Sequence, residues 1–278
     1  MSNLAMRVLA AVVAIPLIAA ACYFGGPYFF LFTTALIVLS ANEFYNLANS
    51  KNLNPSAVFG ITSAGVLNAL VYSSGLTAAF DFLILIIPLA LLSELFRKRT
   101  DKVSGTFENV GSTLVGIFYI GLFGSMLTAI RQRFGLEKVF PLEKDAGLFI
   151  IAILATIWIC DSAAYFVGKS LGKHKMSKFI SPNKTWEGAI AGFAFALATA
   201  IAAKYLVLPD LSLRLSVGMG IIIGVFGQAG DFVESMFKRD AGVKDSSTLI
   251  PGHGGVFDRF DSLLFSAPFI YLLLEHFR

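Results

Sequence analysis

Apolar residues in this chain run in blocks of roughly 20, the length a helix needs to cross a bilayer, with short polar stretches between them. Inside the blocks there is no strict two-residue alternation, which argues against a transmembrane β-barrel. Without water in the hydrocarbon, backbone groups must pair within each segment. The pattern therefore predicts an all-α, polytopic integral membrane protein with about nine transmembrane helices, near 8–24, 28–48, 56–74, 78–95, 111–130, 147–168, 187–207, 213–230 and 262–277. The first and last blocks are short. Pro16 and Pro88 fall inside spans, where they kink a helix that its neighbours can support. The chain divides into 1–110 (spans one to four), 111–146 (the fifth span and a connection) and a C-terminal region 147–278 (spans six to nine).

Composition agrees with this reading. Of the 278 residues, 56% are hydrophobic and only 14% charged, against about 25% charged in a soluble domain. Mean hydropathy is +0.74. Arg7 followed by VLAAVVAIPLIAAAC resembles a signal peptide, but in a chain that spans repeatedly it is expected to stay as the first span. Cys22 and Cys160 sit in apolar runs without metal or disulfide spacing. The net charge of +4 is modest, and the basic residues lie in short loops. That distribution points to anionic headgroups and phosphates rather than nucleic acid.

The larger share of Lys and Arg falls in loops that share a side with the N-terminus, which predicts N-inside, C-outside. The connection 131–146 dissents, with Arg131, Arg133, Lys138 and Lys144 on the predicted outer side. Gly220, Gly224, Gly227 and Gly230 allow close helix contact and leave room for a homodimer.

The polar residues that remain are concentrated. Asp231–Asp261 holds Asp231, Glu234, Asp240, Asp245, Asp258 and Asp261 against Lys238, Arg239, Lys244 and Arg259, with His253 between them. Acids alone would suggest a metal and bases alone a phosphate; both beside a membrane suggest metal-dependent chemistry on a phosphorylated lipid. Asp231, Glu234 and Ser235 can share one helical face. Asp258 and Asp261 serve equally as helix caps or as hard oxygen ligands for magnesium, with Asp231 as partner. Lys238, Arg239, Lys244 and Arg259 are candidate phosphate clamps, with headgroup contact as the plainer alternative. The glycines of PGHGG permit a tight turn or close approach of a ligand. Upstream, Asp161 lies in mid-span, and KHKMSKFISPNKTWEG carries Asn183, Lys184 and Thr185 on the predicted side of the 231–261 segment. SPNKTWEG also reads as a plain helix entry, capped by Ser or Asn. Glu43 is a third intramembrane carboxylate, with no role the sequence assigns.

SMFKRDAGVKDSSTLIPGHGGVFDRFD, residues 235–261, resembles the signature of the phosphatidate cytidylyltransferase family, also called CDP-diacylglycerol synthases. Every fixed position of that signature is met. DSAAYFVGKSLGK and SPNKTWEG also look like family segments, although relatives often carry Lys where this chain has Asn183. The resemblance is sharp over about 161–261 and general before it. It implies that CTP and phosphatidate give CDP-diacylglycerol and pyrophosphate with Mg2+, one cation or two, at a site facing the cytoplasm of a bacterial inner membrane. It implies Asp231 and Asp258 as metal ligands, joined by Asp261. Lys238, Arg239, Lys244 and Arg259 would bind phosphates, and Ser235, His253, Asn183 and Lys184 would complete the pocket. A CTP-dependent lipid kinase, another lipid cytidylyltransferase and a cation transporter are the competing expectations.

Overall fold

The computed structural model describes residues 3–97, 105–132, 136, 139–140, 142–250 and 254–277. Its elements are helices α1 (Asn3–Phe24), α2 (Gly26–Ser50), α3 (Ala57–Ser74), α4 (Leu76–Leu95), α5 (Thr106–Gln132), α6 (Glu143–Leu171), α7 (Trp186–Leu206), α8 (Leu213–Asp240) and α9 (Phe257–His276). No strand is found among the described residues, as the unalternating apolar blocks predict. Seven of the helices, α2 to α8, are long and apolar enough to cross a membrane. The apolar part of α1 that qualifies is short, Ala11–Phe24. Helix α9 carries Asp258, Arg259 and Asp261 in its first turns and Glu275 and His276 in its last. The helical polytopic class stands; the count of nine spans does not reach that criterion.

Helix α5 is the most enclosed, whereas α4 and α7 turn most of their apolar surface outward. Exposed Ile84, Leu85, Leu91, Ile190 and Phe195 form the kind of surface lipid covers. Helices α2, α3 and α5 are joined by a buried polar node. Thr33 Oγ1 lies 2.9 Å from Thr128 Oγ1, Thr128 Oγ1 donates to Asn68 Oδ1 at 2.7 Å, and Asn68 Nδ2 donates to Thr33 and Thr34. Helix α9 packs against α8, α5 and α2, which places its charged first turn between the two halves of the chain.

Arg131, expected as an outer-loop charge, is buried in the last turn of α5. Its Nε donates to Cys22 O at 2.7 Å and its Nη2 to Tyr23 O at 2.9 Å, so it satisfies carbonyls that the end of α1 leaves open. One of the four dissenting charges thus has a structural use. Both cysteines are buried and unpaired. The small residues Gly220 and Gly224 pack inside the protomer against Leu197 and Phe193 of α7.

Helix α8 is where pattern and backbone part company. Its apolar run ends at Gly230, but the helix continues to Asp240. The connection to α9 is therefore 241–256, shorter than the charged segment. A π-type turn, Ile223–Gly227, interrupts α8 just before its polar part. Gln228 Nε2 donates to Gly224 O at 2.6 Å and to Ala189 O at 3.1 Å, which satisfies a carbonyl in the irregular turn and ties it to α7.

Candidate active site at the ends of α8 and α9

The backbones of α8 and α9 approach closely at Gly230. A Cβ there would stand 2.7 Å from Phe265 Cβ and 2.8 Å from Asp261 O. This approach brings Asp231 and Glu234 of α8 to Asp261 of α9, with one carboxylate oxygen of each within 4.8 Å of the others. Glu234 and Asp261 are buried and Asp231 half-buried. Asp261 Oδ1 accepts from Ser262 N at 2.6 Å. Asp231 pairs with Lys184 Nζ at 2.7 Å, and Ser235 Oγ donates to Asp231 Oδ1 at 3.4 Å. Glu234 Oε1 is buried with no hydrogen-bond partner. The same is true of the Tyr119 hydroxyl on α5, which lies within electrostatic reach of Asp261, Glu234 and Asp231.

Asp258 faces a different set of partners. Lys238 Nζ bridges Glu234 Oε2 at 2.6 Å and Asp258 Oδ1 at 2.7 Å. Gly255 N donates to Asp258 Oδ2 at 2.7 Å, and Ser246 N donates to the same oxygen at 3.1 Å. Asp258, the second residue of α9, thus holds the connection before the helix rather than capping the helix itself, and remains one ammonium away from the carboxylate cluster. Burial works against its charge, but the Glu234 side chain, the Lys238 ammonium and the Gly255 N–H outweigh it and hold the carboxyl below the usual carboxylate range.

Asp231, Glu234, Asp258 and Asp261 set four acids against Lys184 and Lys238. A hard divalent ion fits such an imbalance, because carboxylate oxygens suit magnesium and the unpartnered Glu234 Oε1 offers a further donor.

A cleft of about 580 Å³ opens beside the cluster between α6, α7 and α8. Asp161, Lys175, Asn183, Lys184, Gln228 and Asp231 are among its lining residues. Its outer wall is the segment 172–185, closed on itself by Met176 N to Lys184 O at 3.1 Å and Trp186 N to His174 O at 2.9 Å. Glu187 holds His174 Nδ1 at 2.6 Å. Thr185, rather than Ser181 or Asn183, caps α7, its Oγ1 accepting from Gly188 N at 3.2 Å. Lys184 stands at the junction, lining the cleft while paired with Asp231.

The predicted residues thus divide. Asp231, Asp261, Ser235, Lys238, Asn183 and Lys184 gather at the cluster or its cleft. Arg259 is exposed at the start of α9, within electrostatic reach of Asp161. Arg239, in the last turn of α8, and Lys244, just beyond it, are exposed, and Arg239 Nη1 donates to Val243 O at 2.8 Å. His253 lies outside the described residues. The sequence assigns Glu234 no role and carries no signal for Tyr119. Glu43, an acid in an apolar span to which the sequence assigns no role, has partners in the structure. Glu43 accepts from Ser246 Oγ (2.9 Å), Ser247 Oγ (2.7 Å), Val256 N (3.0 Å) and Phe257 N (2.8 Å).

A polytopic helical bundle with a carboxylate cluster and a lysine-lined cleft at one end of its last helices belongs to the class of intramembrane enzymes acting on charged substrates. A family model described as the cytidylyltransferase family matches residues 5–277. The chain belongs to that family. It is 31% identical over 269 residues to the phosphatidate cytidylyltransferase of Staphylococcus haemolyticus, covering 97% of this chain and 98% of that protein. It is 33% identical to that of a Synechocystis species over 286 residues, covering 95% and 94%. Identity rises to 42% against that of Bacillus subtilis, over 179 residues covering 63% and 62%.

Proposed function

We propose that the protein transfers CMP from CTP to phosphatidate at the membrane surface, giving CDP-diacylglycerol and pyrophosphate. The observation that carries this is the Asp231–Lys184 pair, which joins the carboxylate cluster to the cleft. CTP would lie in the cleft with its phosphates toward Lys184. A phosphate oxygen of phosphatidate attacks the α-phosphorus, the bond from that phosphorus to the bridging oxygen of the β-phosphate breaks, and pyrophosphate leaves. The phosphate monoester is already ionised, so the step needs no dedicated base. Two polyanions must meet, and charge stabilisation is the main demand on the site.

Asp231, Glu234 and Asp261 would hold the magnesium, with Asp258 beside them and paired with the Lys238 ammonium. Magnesium there would draw the phosphates together and stabilise the charge passing to the leaving group. Lys184 and Lys238 would neutralise phosphate oxygens, and Arg259 would meet the headgroup at the mouth of the cleft. Asn183 would contact the nucleotide. Ser235 would orient Asp231. Arg239 and Lys244, exposed around the end of α8, are better placed for anionic headgroups. We assign the site to the cytoplasmic side of a bacterial inner membrane, since the loops that build it fall on the side where the larger share of the chain's Lys and Arg lies.

Purified protein in detergent with CTP labelled at the α-phosphate, phosphatidate and Mg2+ tests the reading. Label should pass into the lipid with equimolar pyrophosphate, and only when all three are present. A lipid kinase would leave the label in CDP, and that result would sink the proposal. Cation flux into liposomes without CTP would favour the transporter.

A further inference from the structure

Glu43 lies on α2, in the half of the molecule that contributes no residue to the carboxylate cluster or the cleft. Its carboxylate is 3% exposed and accepts four hydrogen bonds, all from residues about 200 positions further along the chain. Two donors are hydroxyls of the 241–256 connection, Ser246 and Ser247. The other two are backbone N–H groups of Val256 and Phe257, where α9 begins. A helix start offers unpaired N–H groups and a partial positive charge, and an anion placed there is stabilised by both. The side chain fits against a bare backbone: a Cβ on Gly255 would collide with Glu43 Oε2. The next residue, Phe44, packs edge-on against Phe237 of α8 and Phe257 of α9 at ring separations of 5.2 and 6.3 Å. Helix α2 therefore holds the end of α8, the connection and the first turn of α9 together.

We infer that Glu43 is a positioning residue for the reaction, setting the rotation and depth of α9 that bring Asp258 and Asp261 to their places. This rests on the proposed function, because it takes the 231–261 segment as catalytic. The four donors saturate the carboxylate, so Glu43 holds no ligand itself. Its charge matters as well as its shape. A glutamine of the same length keeps one acceptor oxygen but turns an NH2 group toward donors. The cleft lies on α6, α7 and α8, away from Glu43, so the effect should fall on turnover and not on nucleotide capture.

The test is kinetic. In folded, monodisperse Glu43→Gln, kcat should fall about 10- to 100-fold, the range seen when an outer partner of a functional group is lost, with KM for CTP within about twofold of the parent. Ser247→Ala should lower kcat less, and the double variant should be no slower than Glu43→Gln alone, because both changes act through one network. Parental kcat in Glu43→Gln, a loss confined to KM, or losses that multiply in the double variant would overturn the inference. If Glu43→Gln does not fold, Glu43→Asp and Ser247→Ala carry the test: both should show reduced kcat with KM kept, and parental kcat in both overturns it. An inactive parent enzyme would overturn the proposed function itself and take this inference with it.

Discussion

Lys238 Nζ stands between two carboxylates, 2.6 Å from Glu234 and 2.7 Å from Asp258, and its side chain is 11% exposed. Removing one member of a buried ion pair leaves uncompensated charge and costs about 3–5 kcal/mol. Lys238→Met should therefore lower the thermal unfolding midpoint in detergent as well as abolish transfer. A variant as stable as the parent would show that Lys238 serves substrate alone. At this scale, part of the site was legible. Asp231 and Asp261 were readable because carboxylates at membrane depth are costly without a use. Glu234 was visible on the same helical face, but residue types do not tell which of several acids turns inward. Glu43 could not be assigned because its partners are about 200 residues away in sequence, and local spacing carries no such information. Asp258 illustrates the limit from the other side. Cap and ligand need the same oxygen atoms, and only geometry could show them accepting from Gly255 and Ser246, before the helix rather than within it.

The α8–α9 crossing decides whether the acids meet. A Cβ at Gly230 would press on Phe265 and on the Asp261 carbonyl, whereas one at Gly227 would meet its nearest neighbour, Ile223 Cγ2, at 3.5 Å. Gly230→Ala should cost about 1–3 kcal/mol by overpacking and force the helices apart, with a large loss of turnover. Gly227→Ala should leave both stability and turnover near parental. Equal activity of the two variants in the CTP assay would contradict this role for the crossing. Hydropathy located the helices well but misplaced the end of α8 by ten residues. The pattern reports contact with lipid, not backbone hydrogen bonding. Asp231–Asp240 is a helix whose polar side chains are used by the site and by the neighbouring connection. The interruption at Ile223–Gly227 has no hydropathy signal at all.

At the scale of the molecule, seven helices among the described residues meet the criterion for crossing, and α1 and α9 frame them. The proposed orientation puts the 172–185 and 241–256 connections in the cytoplasm and the α7–α8 connection outside. Because Cys22 and Cys160 are buried, an impermeant thiol reagent should meet little background in intact cells. Lys178→Cys and Lys244→Cys should resist it until the membrane is opened, and Asp210→Cys should react at once. The reverse pattern would invert the topology. The central claim is that acids from α8 and α9 hold a divalent ion for transfer between nucleotide and lipid phosphate, and Mn2+ binding followed by electron paramagnetic resonance tests it most directly. Parent protein should bind Mn2+, and Asp231→Asn and Asp261→Asn should bind it at least about 10-fold more weakly while keeping their helical content. Undiminished binding in both variants would contradict the account.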